Sequence, residues 1–84
     1  MVGMARILVI DSDAPLRAAL SGALTAAGHE VETASSSQAG LALARASSPD
    51  VVVFDLKLND GEGIELCRTM RSDSLVRRAA LFVL

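Results

Sequence analysis

Residues 50–63 read Asp50-Val51-Val52-Val53-Phe54-Asp55-Leu56-Lys57-Leu58-Asn59-Asp60-Gly61-Glu62-Gly63. Four consecutive apolar residues with no polar alternation predict a strand covered on both faces. The run ends in a carboxylate, Asp55, and Leu56 to Gly63 then reads as a loop rich in Asn, Asp and Gly. The same pattern occurs earlier in the chain. Arg6-Ile7-Leu8-Val9-Ile10 is a second short apolar run, and it too ends in an acid, Asp11, followed by Ser12 and Asp13.

Helical spacing fills the intervals. Asp13 is a candidate N-cap with Pro15 close behind, and Leu16, Leu20, Ala23, Leu24 and Ala27 recur until Gly28 stops the helix. Gly28-His29 reads as a turn, with His29 neither ligand nor base. Glu30 to Thr33 alternates, as a strand near a sheet edge does. Ser35 and Gln38 have capping-box spacing. They open a helix with Ala39, Ala42, Leu43 and Ala46 on one side, which ends at Ser47-Ser48-Pro49. Ile64, Cys67 and Met70 mark a third helix, and Ala79 to Leu84 a fourth strand. The order βαβαβαβ predicts an α/β fold with a parallel sheet and right-handed crossovers. In such sheets ligand groups gather at the carboxyl ends of the strands.

Composition narrows the function. The chain has 84 residues, enough for one domain, and 51% of them are apolar, but only two are aromatic. The core must be built from Ala, Val, Leu and Ile. A net charge of −2 argues against direct nucleic-acid binding or an anionic membrane footprint, since both need basic clusters. Arg77-Arg78 reads as a solvated loop. No apolar run approaches membrane-spanning length, and Met1 to Met4 lacks the basic head of an export signal. One cysteine, Cys67, excludes an internal disulfide, reads as a core filler and fits a reducing cytoplasm.

Two buried strands ending in Asp11 and Asp55 put both acids on one edge of a parallel sheet. If the strands are neighbours, the like charges lie close, and such a site calls for a cation. Oxygen ligands with an open face suit Mg²⁺, which retains waters and accepts phosphate oxygens. A carboxylate can itself be the nucleophile that forms an aspartyl phosphate.

These residues resemble the receiver domain of bacterial two-component response regulators. Residues 6–13 are similar to that family's first strand and acidic loop, with Pro15 and Arg17 where helix-starting residues are common. Residues 50–63 look like its phosphoacceptor strand and loop, with Asp60, Gly61 and Gly63 matching the loop acid and glycines. The resemblance implies a flavodoxin-like doubly wound sheet of strand order 2-1-3-4. It also implies that the fifth strand and last helices, with the family's switch Thr or Ser and its Lys, lie beyond Leu84, so that residues 1–84 form a receiver domain incomplete at its C-terminus. Asp55 then matches the phosphoacceptor, charged by a histidine kinase in a phosphorelay and read by an output domain or downstream partner. The metal set implied is Asp11, Ser12, Asp55 and the backbone carbonyl of Lys57. Ser12 departs from the family, which has an acid there, so weak Mg²⁺ binding is expected. Asn59 replaces a common Pro.

Two other readings compete. A pseudo-receiver would keep the fold as a protein–protein interaction module without efficient phosphorylation, as Ser12 suggests. A haloacid-dehalogenase-type phosphatase would use Asp11 as nucleophile and Asp13 as acid/base, but Pro15 interrupts that pattern. A P-loop or dinucleotide site fails because no Gly-rich loop follows the first strand. The fourth strand, with Leu81, Phe82, Val83 and Leu84 and no charge or Pro, is expected to be an open sheet edge prone to self-association.

Overall fold

The apolar run Arg6–Ile10 forms strand β1 in the computed structural model, which describes residues 4–55, 63–74 and 76–84. Helix α1 (Ala14–Ala26), strand β2 (Glu30–Ala34), helix α2 (Ser37–Ser47), strand β3 (Val51–Phe54), helix α3 (Gly63–Ser72) and strand β4 (Ala80–Val83) follow. All four strands are parallel, in the order β2-β1-β3-β4. The doubly wound sheet inferred from the resemblance is therefore the observed one. Leu8, Val9 and Ile10 have no exposed surface, so β1 is covered on both faces as its apolar run predicts, whereas β3 is fully buried only on its Val52 and Phe54 face and leaves Val51 and Val53 half-buried.

Odd and even residues of these strands face opposite sides. Leu8, Ile10, Val52 and Phe54 pack with Ala44 of α2 and with Leu66 and Met70 of α3 into the main core, which therefore uses Phe and Met besides the expected Ala, Val, Leu and Ile. The chain moves one way across the sheet from β1 to β2 and back again to β3. Right-handed crossovers then put α1 on the opposite face from α2. Here α1 packs on β1 and β2, and none of its residues is fully buried. Asp50 ties three strand starts together. Its Oδ2 accepts the Arg6 N–H at 2.8 Å, its own N–H donates to the Arg6 carbonyl at 2.8 Å, and its carbonyl accepts the Ala80 N–H at 2.9 Å.

Several local expectations shift. Asp13 caps α1 as read, its Oδ1 accepting the Leu16 N–H at 3.2 Å, and Gly28 takes φ +96° after the helix. The inner stripe of α1, however, is Arg17, Leu20, Ser21 and Leu24, all half-buried, whereas Leu16, Ala23 and Ala27 are exposed. The cap of α2 is Ser36, not Ser35; its Oγ accepts the Ala39 N–H at 3.1 Å. The inner face of α2 is Gly40 and Ala44 with Leu41 and Leu43 beside them, and Ala39, Ala42 and Ala46 face out. On α3, Leu66 and Met70 are buried and Cys67 is half-buried, while Ile64 is exposed. Gly63 opens α3 and is not part of the preceding loop. Strand β2 runs one residue further than read, to Ala34, and β4 is shorter at both ends, with Ala79 buried just ahead of it. His29 lies in a turn, where its Nδ1 accepts the Ala5 N–H at 3.1 Å.

Candidate phosphoacceptor site

The register pairs Ile10 with Phe54, so Asp11 and Asp55 are the next residues of adjacent strands and emerge together at the carboxyl edge. The backbone fixes both. The Asp11 N–H donates to the Ala34 carbonyl at 3.0 Å, and the Asp55 N–H donates to the Ile10 carbonyl at 3.3 Å. Asp11 has no exposed surface, whereas Asp55 is half-buried.

The β1–α1 loop folds back on Asp11. Its Oδ1 accepts the Asp13 N–H at 2.8 Å. Its Oδ2 is buried and has no hydrogen-bond partner among the described residues. A buried carboxylate oxygen left this way is costly unless a cation or water completes it. Ser12 is half-buried on the same loop and Asp13 is exposed, its side chain turned to the helix cap. From the first turn of α1, Arg17 reaches back, and its Nη1 donates to the Asp11 carbonyl at 2.7 Å. By resemblance Arg17 matches only a helix-starting position, and this bond adds a contact to the acidic edge. The signal for its role was spacing: it is one helical turn before Leu20 and Ser21, on the stripe that faces the sheet.

Among the described residues, no group of three or more His, Cys, Asp or Glu side chains is arranged to hold a metal ion. Two carboxylates suffice for Mg²⁺, which keeps several waters and binds through one or two acids plus substrate phosphate. The orphaned Asp11 Oδ2 fits that requirement. Lys57, Asn59, Asp60 and Gly61 lie outside the described residues, so the expected carbonyl ligand from Lys57 does too.

The family model for the response regulator receiver domain matches residues 7–82. The chain belongs to this receiver family. Among relatives of this receiver, the transcriptional regulatory protein AfsQ1 of Streptomyces coelicolor is 43% identical over 68 residues, which cover 81% of this chain and 30% of that protein. The KDP operon transcriptional regulatory protein KdpE of Escherichia coli is 37% identical over 73 residues, 87% of this chain and 32% of that protein. The receiver chain thus spans less than a third of the length of these regulators. The chemotaxis response regulator CheY4 of Vibrio cholerae superposes with a TM-score of 0.91 at 30% identity, covering 96% of this chain and 68% of that one. No helix among the described residues of the receiver is long and apolar enough to cross a membrane.

Proposed function

We propose that this chain is the phosphoacceptor module of a bacterial two-component phosphorelay, with Asp55 taking the phosphoryl group from a histidine kinase in the cytoplasm. The observation that carries the reading is the pairing of half-buried Asp55 with wholly buried Asp11, whose Oδ2 lacks a partner among the described residues. In the transfer, an Asp55 carboxylate oxygen bonds to phosphorus as the bond to the donor's leaving group breaks. Asp11, Asp55 and the Lys57 carbonyl would hold Mg²⁺, with Ser12 a weak fourth ligand. The ion supplies charge neutralisation for the phosphoryl oxygens. The added charge of about −1.5 to −2 then biases the surface that an output domain or partner reads.

The test is incubation with acetyl phosphate, with and without Mg²⁺, followed by intact mass. One phosphoryl adduct that requires Mg²⁺ is expected. No adduct at all would favour the second reading, a pseudo-receiver that serves as an interaction module, for which the neutral Ser12 is the specific observation. The phosphatase reading needs Asp13 as a free acid/base, and the Asp13 side chain is engaged at Leu16.

Ser12 yields a prediction of its own. A carboxylate in its place raises the charge count around a hard cation, so Ser12→Asp should tighten Mg²⁺ binding by roughly tenfold. Calorimetry checks this, and unchanged or weaker binding would show that Ser12 does not face the metal position.

We also propose self-association through the β4 edge. Among the described strands β4 pairs only with β3, and Phe82, Val83 and Leu84 are 56%, 48% and 55% exposed. An apolar edge without charge or Pro recruits other strands. Sedimentation at micromolar concentration should reveal dimers or larger species, and a strictly monomeric folded chain would defeat the idea.

A further inference from the structure

We infer that Arg17 is a cation built into the acidic edge that sets how weakly this chain holds Mg²⁺. The inference deepens the proposed phosphoacceptor reading and rests on it.

Four observations carry the argument. The Arg17 Nη1 donates to the Asp11 carbonyl at 2.7 Å. That carbonyl belongs to the residue whose buried Oδ2 lacks a partner among the described residues. Backbone bond lengths then keep the guanidinium within roughly 8 Å of that carboxylate oxygen. The bond is made from the half-buried inner stripe of α1, so the charge is held in place and only partly screened. Lastly, the intervening loop residue is Ser12, whose hydroxyl adds no negative charge to offset the guanidinium.

The consequence has a definite sign. A fixed positive charge opposes a divalent cation at the Asp11 Oδ2 position. It also favours the state in which Asp55 carries a dianionic phosphoryl group, because Arg is always charged and retains further N–H donors after the bond to the Asp11 carbonyl. A residue that merely braced the loop would act the other way. Its loss would loosen Asp11 and weaken metal binding.

The experiment measures Mg²⁺ affinity by calorimetry on the intact chain and on Arg17→Gln and Arg17→Lys, with thermal unfolding to verify that each variant is folded. Arg17→Gln retains a neutral donor, and removing the charge should tighten Mg²⁺ binding by about three- to tenfold at low salt, by Coulomb's law across that distance in a mostly aqueous medium. The gain should shrink as salt is raised. Arg17→Lys should stay within about twofold of the parent, because it keeps the charge near its original place. Equal or weaker binding by a folded Arg17→Gln overturns the inference and leaves the phosphoacceptor reading standing. Weaker binding by both variants assigns Arg17 a bracing role and overturns it as well. If Arg17→Gln does not fold, Arg17→Met takes its place and the same tightening is required. Absence of Mg²⁺ binding by the parent and by Ser12→Asp alike overturns the metal reading itself, and the inference falls with it.

Discussion

Asp55→Asn is expected to abolish the phosphoryl adduct entirely. An amide nitrogen or oxygen at that position is a poor nucleophile toward phosphorus, so no partial activity should remain at the same residue. The substitution is nearly isosteric. The Asp55 N–H bond to the Ile10 carbonyl is a backbone bond and survives it. Asp11→Asn is the companion variant. It keeps the Oδ1 acceptor for the Asp13 N–H but removes the charge at the orphaned Oδ2, so it should slow uptake and raise the Mg²⁺ requirement without moving the site. Intact mass and peptide mapping after acetyl phosphate treatment distinguish the two. An adduct that persists in Asp55→Asn places the acceptor elsewhere. An adduct lost in Asp11→Asn and retained in Asp55→Asn would revive the phosphatase-type reading with Asp11 as nucleophile.

Gly40→Val is expected to be the most damaging single change in the scaffold. A Cβ at Gly40 would meet Ile10 Cγ1 at 2.7 Å and Cγ2 at 3.2 Å, with the Cδ1 closer still. Ile10 is wholly buried on the central strand, so its side chain has little space to move into. Inserting carbon into such a core costs about 1–3 kcal/mol, occasionally more. Alanine would recover about 1 kcal/mol of helix propensity relative to glycine, but valine recovers less of it and adds two methyl groups to the clash. The expected losses are about 1–2 kcal/mol for Gly40→Ala and about 3 kcal/mol or more for Gly40→Val. Urea unfolding checks both. Adding Ile10→Val, which removes the nearest methyl, should restore part of the loss in Gly40→Ala, so the two effects will not add. The result matters for function because Ile10 immediately precedes Asp11, and a shifted Ile10 would drag the acid out of register with Asp55.

Much of this architecture could be read from residue order alone, and the exceptions have physical reasons. The strands β1 and β3 are legible as unbroken apolar runs, although only β1 is fully buried on both faces, and both acids sit where those runs end. Asp13 was legible as a cap because it directly precedes the helix start. The phase of α2 was not. Ala39, Leu41, Ala42, Leu43, Ala44 and Ala46 surround that helix with small or apolar side chains, so periodicity does not select a face; the buried Gly40 does, through its close approach to Ile10. The buried side of α3 is ambiguous for a related reason: Ile64-Cys67 and Leu66-Met70 both have helical spacing, and only packing chooses Leu66 and Met70. The bond from Arg17 to a main-chain carbonyl and the three-strand tie at Asp50 leave no pattern in composition, because each depends on atoms brought together by the fold.

The strand order also has a meaning in time. β1 lies inside the sheet, yet it precedes the other three described strands in the chain, and residues 11–50 separate it from its partner β3. At ordinary elongation rates of about 5–20 residues per second, that interval lasts roughly 2–8 s. During it, β1 has at most β2 on one side, and the edge that will receive β3 is open to any passing strand. The two acids are brought together only when Phe54 docks against Ile10. A nascent chain therefore passes through a stage that displays an apolar strand and has no paired carboxylate site, and a ribosome stalled before Val51 would hold it there.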